Sequence, residues 1–239
     1  MTQIVHVAVG VIIGTDGRVL IAKRPQNTHQ GGLWEFPGGK VAPGESVQQA
    51  LARELHEELA LHVEASTPFM KIQHDYGDKT VLLDIHKVTR FSGTPCGNEG
   101  QPVLWVNSTE LLNYSFPAAN RAIITALVLP DRMLITGAAS SVAEYLQRIE
   151  RALKLHSLRL VQLRCPDMAA EDYQALAHQV QALCTAHDAQ LLLNTTPTNF
   201  LAIGTGGLHL NRHQLFELSS RPVDSAVLFG ASCHNAQEN

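Results

Sequence analysis

The sequence predicts two α/β domains in tandem: a small sandwich built on a mixed sheet over 1–130, then an alternating β/α array over 131–239. Three observations carry this expectation. Over the first 130 residues, Val- and Ile-rich runs flank one amphipathic helix, and the order closes on a second helix. After Pro130 and Asp131, strands and helices alternate with short loops, the pattern of a parallel sheet. The length of 239 residues suits two ordinary domains, and a 45% hydrophobic content is enough for two cores.

Taken in order, 4–13 reads as a strand, 14–17 as a turn and 18–23 as a second strand, together a hairpin. A polar loop over 25–32 leads through Leu33, Trp34, Glu35, Phe36 and Pro37 to a helix over 46–59. Ser46 is placed to cap that helix, with Gln49 completing a capping box. Strands near 69–76 and 80–91 meet at a turn of Gly77 and Asp78. A Gly/Pro-rich loop over 92–102 contains Glu99; 103–106 is a short strand, and a helix begins after Phe116 and Pro117 and extends to about 129. Trp34 and Trp105 read as packing residues.

In the second half, strands are expected at 133–136, 158–163, 191–194, 208–210 and 227–229. Helices are expected from Ser140 or Ser141 to 156 and over 171–187, with a weaker one near 197–202. Val142, Tyr145, Leu146, Ile149 and Leu153 share one face of the first of these helices.

The chemistry is concentrated in 39–61. Glu54, Glu57 and Glu58 stand at i, i+3 and i+4, on one side of the helix. Like charges so spaced repel by a few tenths of a kcal/mol per pair. A hard divalent cation relieves that repulsion, since Mg²⁺ takes carboxylate oxygens and substrate phosphates. Arg53 lies beside the acidic face, where it can orient a carboxylate. Gly38, Gly39 and Gly44 allow close backbone approach just before the helix.

Other totals narrow the classes. A net charge of −4 and a pI near 6.3 argue against a nucleic-acid polymer as partner. Cys96, Cys165, Cys184 and Cys233 are too widely spaced for a zinc site or disulfide scaffold and read as reduced cytoplasmic thiols. The N-terminus lacks the basic region of a signal peptide. No apolar run approaches the ~18 residues of a membrane span.

Gly39, Glu45, Arg53, Glu54, Leu55, Glu57, Glu58 and Leu61 stand at the spacing of a Nudix box, which the segment resembles. Ala60 stands where the family has glycine, a departure costing about 1–2 kcal/mol if the backbone there is left-handed. The strings VAVGVI, AKRP, LWEFPGGK, NEGQP and FPAAN extend the resemblance to the MutT-type branch over about 4–129. It implies an α/β/α Nudix sandwich that hydrolyses 8-oxo-dGTP to the monophosphate and pyrophosphate with Mg²⁺, or Mn²⁺ in its place. Glu54, Glu57 and Glu58 would hold the metal, Glu99 would be a further ligand or the base that activates water, Arg53 would assist, and Gly39 would lend its backbone. Arg24, Lys40 and Lys79 would meet the triphosphate, Glu35 and Phe36 would shape the base pocket, His29 would close over it, and Asn120 would read the base.

The strings LITG, VQLR, LLLN, GLHL and FGASCHN resemble the opening of a thiamine-phosphate-synthase barrel, a TIM-type fold of which about five of eight strands would be present. Pro166, Thr195 and Gln214 stand where that family has a lysine and two metal-binding aspartates, so synthase chemistry is not expected. Gln162, Arg164, Asn194, His209 and Ser232 would line what pocket is left. A scaffolding, ligand-sensing or homodimer-forming role is the expectation for this half. Two rival readings of the whole chain are a Nudix hydrolase of a thiamine-pathway pyrophosphate and a non-catalytic nucleotide-binding regulator.

Overall fold

Strand β1 (Ile4–Ile12) is the axis of the first half. Its odd residues Val5, Val7, Val9 and Val11 face one side; Ala8 and Ile12 face the other. Both sides are apolar because both are covered. The structure is a computed structural model that describes residues 4–28, 30–77, 79–224 and 226–233.

The chain divides into two units, Met1–Val128 and Leu129–Asn239. In the first, β1 lies between β4 (Gly38–Lys40), antiparallel to it, and β6 (Thr80–Ser92), parallel to it. β5 (His62–Asp75) pairs antiparallel with the far side of β6, giving the order β4-β1-β6-β5. A second sheet, in the order β3-β2-β7, joins β2 (Val19–Lys23) to β3 (Trp34–Glu35) and β7 (Val103–Val106).

Helix α1 (Val47–Leu59) buries Ala50, Leu51, Leu55 and Leu59 against Ala8, Ile12, Leu20 and Val88. Ser46 accepts from the Gln49 backbone N–H and Gln49 returns the bond, so the expected capping box is present. On the opposite face, Ile123 and Ile124 of α2 (Arg121–Val128) pack with Val9, Val11, Ile85 and Phe36. This mixed sheet between helices is the expected sandwich.

The hairpin is not formed. The 14–17 turn is real, closed by the Gly17 N–H donating to the Gly14 carbonyl at 2.9 Å. Beyond one bridge between Ile13 and Val19, however, β1 and β2 enter different sheets. β5 starts seven residues earlier than expected, and register shifts at Val63, Ala65 and Pro68 bend it along β6. The helix after Pro117 begins with one 3₁₀ turn, Ala118–Asn120.

The second unit is one parallel sheet in simple sequential order: β8 (Leu134–Ile135), β9 (Leu160–Leu163), β10 (Gln190–Asn194), β11 (Gly207–Leu210) and β12 (Phe229–Ala231). α3 (Val142–His156) and α4 (Ala170–Ala186) bury Tyr145, Ile149, Leu153, Leu176 and Val180 on Val161, Leu163, Leu191 and Leu193. α5 (Pro197–Ile203) and α6 (Arg212–Phe216) complete the alternation. The last strand lies two residues later than expected. None of the helices is long and apolar enough to cross a membrane, among the described residues.

Candidate active site

The β4 backbone and the polar face of α1 form one wall of the site. An added Cβ at Gly39 would overlap the Glu54 carboxyl group, so glycine here leaves that carboxyl its place against the strand. Next to it, the Gly38 N–H donates to Glu58 Oε2 at 3.3 Å. Gly38 itself has φ +145, and a side chain there would run into the Ala8 carbonyl.

Arg53 organises the acidic residues. Its Nε and one terminal nitrogen donate to the two oxygens of Glu45, each at 2.9 Å. The other terminal nitrogen donates to Glu54 at 2.8 Å and to Glu57 at 3.3 Å, and a further bond at 3.1 Å reaches the Lys40 carbonyl. Bonds to Glu45 and Glu54 keep the guanidinium firmly protonated, and they pull the Glu45 carboxyl below its usual range.

Glu58 behaves differently. Burial, then the negative charges of Glu35, Glu54 and Glu99, pushes its pKa up to about 8, against the bond from Gly38. Four carboxylates therefore feel one another around Glu58. Among the described residues no three of them converge as a ready-made metal cluster. Glu57 is the most exposed of the three on α1, and Glu99 is also exposed.

The loop carrying Glu99 is tied down at the end of α1. The Asn98 N–H donates to the Glu58 carbonyl at 2.9 Å, and Gln101 Nε2 to the same carbonyl at 3.0 Å. Asn98 Nδ2 reaches the Glu57 carbonyl at 3.1 Å. These bonds satisfy carbonyls that a helix end leaves open. In the sequence Asn98 and Gln101 stood only as part of the NEGQP string, with no role assigned to them.

On the opposite face of the sheet from α1, a cavity of about 300 Å³ is lined by Val5, Val7, Val9, Val81, Leu83 and Phe36. Arg24, Glu35, Gly39, Lys40, Lys79 and Asn120 also line it, so residues spread over nearly 100 positions meet in one place. Arg24 pairs with Glu35, whose proton affinity is raised by burial and held back by that arginine. Phe36 is stacked on Phe116, with centroids 5.4 Å apart. Asn120 is 9% exposed at the end of the 3₁₀ turn, and its side-chain amide has no hydrogen-bond partner among the described residues. Gln30 and Tyr76 line the cavity too, though neither stood out in the sequence. His29 lies outside the described residues.

Comparison with known proteins gives the first unit a family. A NUDIX domain model matches residues 8–126. The 8-oxo-dGTP diphosphatase of Escherichia coli is 35% identical over 122 residues, which are 51% of this chain and 95% of that protein. The chain belongs to the NUDIX family. A second relative from Escherichia coli, a CTP pyrophosphohydrolase, is 38% identical over 120 residues, 50% of this chain and 89% of its own length. A solved structure, from a study of MutT from Aliivibrio salmonicida and Vibrio cholerae, is 39% identical; it covers 53% of this chain and 98% of its own, with a TM-score of 0.48. Beyond the Nudix unit, a thiamine monophosphate synthase model matches residues 132–239.

Proposed function

We propose that the first unit hydrolyses 8-oxo-dGTP to 8-oxo-dGMP and pyrophosphate, removing an oxidised nucleotide before it is used in DNA synthesis. The observation that supports this is the cavity: an apolar floor with Asn120, Arg24, Lys40 and Lys79 in its lining, and in its wall Gly38 and Gly39, the two glycines against which the Glu58 and Glu54 carboxylates pack, although those carboxylates do not themselves line it. The named relatives favour a hydrolase of phosphorus anhydrides.

A divalent cation, Mg²⁺ or Mn²⁺, fits the donor set, because the carboxylates gathered around Glu58, whose charges raise its proton affinity, are hard oxygen ligands. Glu54, Glu57 and Glu58 would hold it, and it would lower the pKa of water and neutralise phosphate charge. The chain's own residues do the rest. Arg53 fixes Glu54 and Glu57 in place. Arg24, Lys40 and Lys79 meet the roughly four negative charges of the triphosphate. Glu99, on its pinned loop, takes the proton of a water that attacks the β-phosphorus; the β-phosphorus to bridging-oxygen bond breaks, 8-oxo-dGMP leaves on that oxygen, and the water oxygen ends in pyrophosphate.

Base choice rests on Asn120. Oxidation of guanine turns N7 from an acceptor into an N–H donor, and an amide offers both an acceptor and donors. Ordinary guanine would leave a buried group unpaired, a mismatch that can discriminate by as much as about 10⁴-fold. The resemblance to a CTP pyrophosphohydrolase supports a second reading, in which the same machinery takes another base.

One assay separates these readings: release of phosphate and pyrophosphate from 8-oxo-dGTP, dGTP, CTP and hydroxymethylpyrimidine pyrophosphate, with Mg²⁺. The expected result is preference for 8-oxo-dGTP, its loss on Asn120→Ala, and loss of all turnover on Glu57→Gln. Preference for CTP or for the pyrimidine pyrophosphate reassigns the substrate. Nucleotide binding without turnover of any of the four makes the protein a regulator.

A further inference from the structure

An amide reads a base edge only when its own backbone is held still. Asn120 ends a single 3₁₀ turn, Ala118–Asn120, in which its N–H donates to the Pro117 carbonyl at 3.0 Å. A turn this short has little stability of its own. Ala119, in its middle, is 3% exposed. The first N–H groups of a helical segment have no carbonyl one turn back to bond. Accordingly, no backbone carbonyl takes the Ala119 N–H among the described residues. A buried N–H needs a partner from elsewhere.

That partner comes from the other side of the sheet order. Tyr76, directly after β5, brings its phenol oxygen to the Ala119 N–H, which donates to it. The tyrosine is itself well anchored. Its ring packs against the core cluster that includes Val9, Ile85 and Phe36. The His74 ring meets it edge-on, with centroids 4.5 Å apart. Its N–H donates to the Lys79 carbonyl at 2.9 Å, which closes the turn between β5 and β6. Tyr76, Lys79 and Asn120 all line the same cavity. One side chain therefore joins the loop that carries Lys79 to the turn that carries Asn120.

We infer that Tyr76 is a positioning residue for base choice: its hydroxyl holds the 118–120 turn, and through it the Asn120 amide, at the angle that reads the base. The inference rests on Asn120 reading the base. Tyr76 acts here without touching the substrate. Phenylalanine keeps the ring and its packing, so the hydroxyl's bond can be removed by itself. Without it the Ala119 N–H is left buried and unpaired. The turn then shifts to find water or another acceptor, and Asn120 moves with it.

The test uses the full chain as wild type, Tyr76→Phe, Asn120→Ala and the double variant, with 8-oxo-dGTP and dGTP in Mg²⁺. Tyr76→Phe should raise KM for 8-oxo-dGTP about tenfold, the order of one buried hydrogen bond, with kcat held and kcat/KM for dGTP unchanged. Added to Asn120→Ala it should change nothing further, because both act through one amide. Hydrogen exchange at the Ala119 amide, faster in Tyr76→Phe while the melting temperature of the unit is kept, reads the bond without any substrate. An equal loss on both nucleotides would make Tyr76 a general support of the cavity. A loss that adds to that of Asn120→Ala would mean that it acts elsewhere, and an unchanged preference in Tyr76→Phe would leave it no part in base choice. Each of these three overturns the inference while the hydrolase reading stands. A wild type with no preference for 8-oxo-dGTP defeats that reading first, and the inference with it.

Discussion

Two residues on the Nudix segment show how a single Cβ decides between packing and strain. At Gly39 a methyl group would occupy the space of the Glu54 carboxyl, so Gly39→Ala must push β4 from α1 or turn Glu54 away. Since a shift of about 1 Å at a reacting centre can cost about 100-fold, kcat should fall by that order while the fold survives. Steady-state kinetics beside a thermal melt checks this; an unchanged kcat would mean Glu54 is not held for the reaction. Ala60 is the opposite case. It closes α1 at φ 57, ψ 29, the left-handed region its place in the motif suggested. Ala60→Gly should stabilise the unit by roughly 0.5–1 kcal/mol, the left-handed penalty less the extra freedom glycine has when unfolded. Urea denaturation measures it directly.

At the scale of elements, α1 has an apolar side that makes it fold and an acidic side that resists. Burial holds Glu58 protonated up to about pH 8, far above the ordinary carboxylate value of 4.5. The folded state then binds a proton that the unfolded chain has already released. This contribution to stability is full below about pH 4.5 and is lost as pH rises through about 8. In chelator the melting temperature should fall over that window, and Glu58→Gln should flatten the fall. Divalent cations should stabilise most at the alkaline end, where they no longer compete with the proton. The same element shows what was legible in the sequence. Its bounds, capping box and buried stripe follow from local spacing, which is why Ser46, Gln49, Leu51 and Leu55 were readable. The hairpin was not. The 14–17 turn is a local matter, but whether β1 pairs with β2 or with β4 and β6 depends on residues up to about 80 positions away. Tyr76 and Gln30 escaped notice for the same reason, because their place in the cavity comes from the fold and not from their neighbours.

At the scale of the molecule, the two units have separate cores. Leu193 is fully buried among Val161, Val180 and Leu208, all within the second unit. Both tryptophans, Trp34 and Trp105, belong to the first. Tryptophan fluorescence therefore reports on the Nudix unit alone, while far-UV circular dichroism sees the helices of both. Leu193→Ala removes three carbons from a filled core and should cost the second unit about 2–5 kcal/mol. The dichroism melt should then split, its new early phase belonging to the parallel sheet, with the fluorescence midpoint unmoved. Hydrolysis should keep its kcat/KM, because no residue proposed for it comes from beyond position 120. If the fluorescence transition moves down together with the dichroism, the two cores unfold as one, and the second unit must be counted as part of what holds the Nudix site in shape.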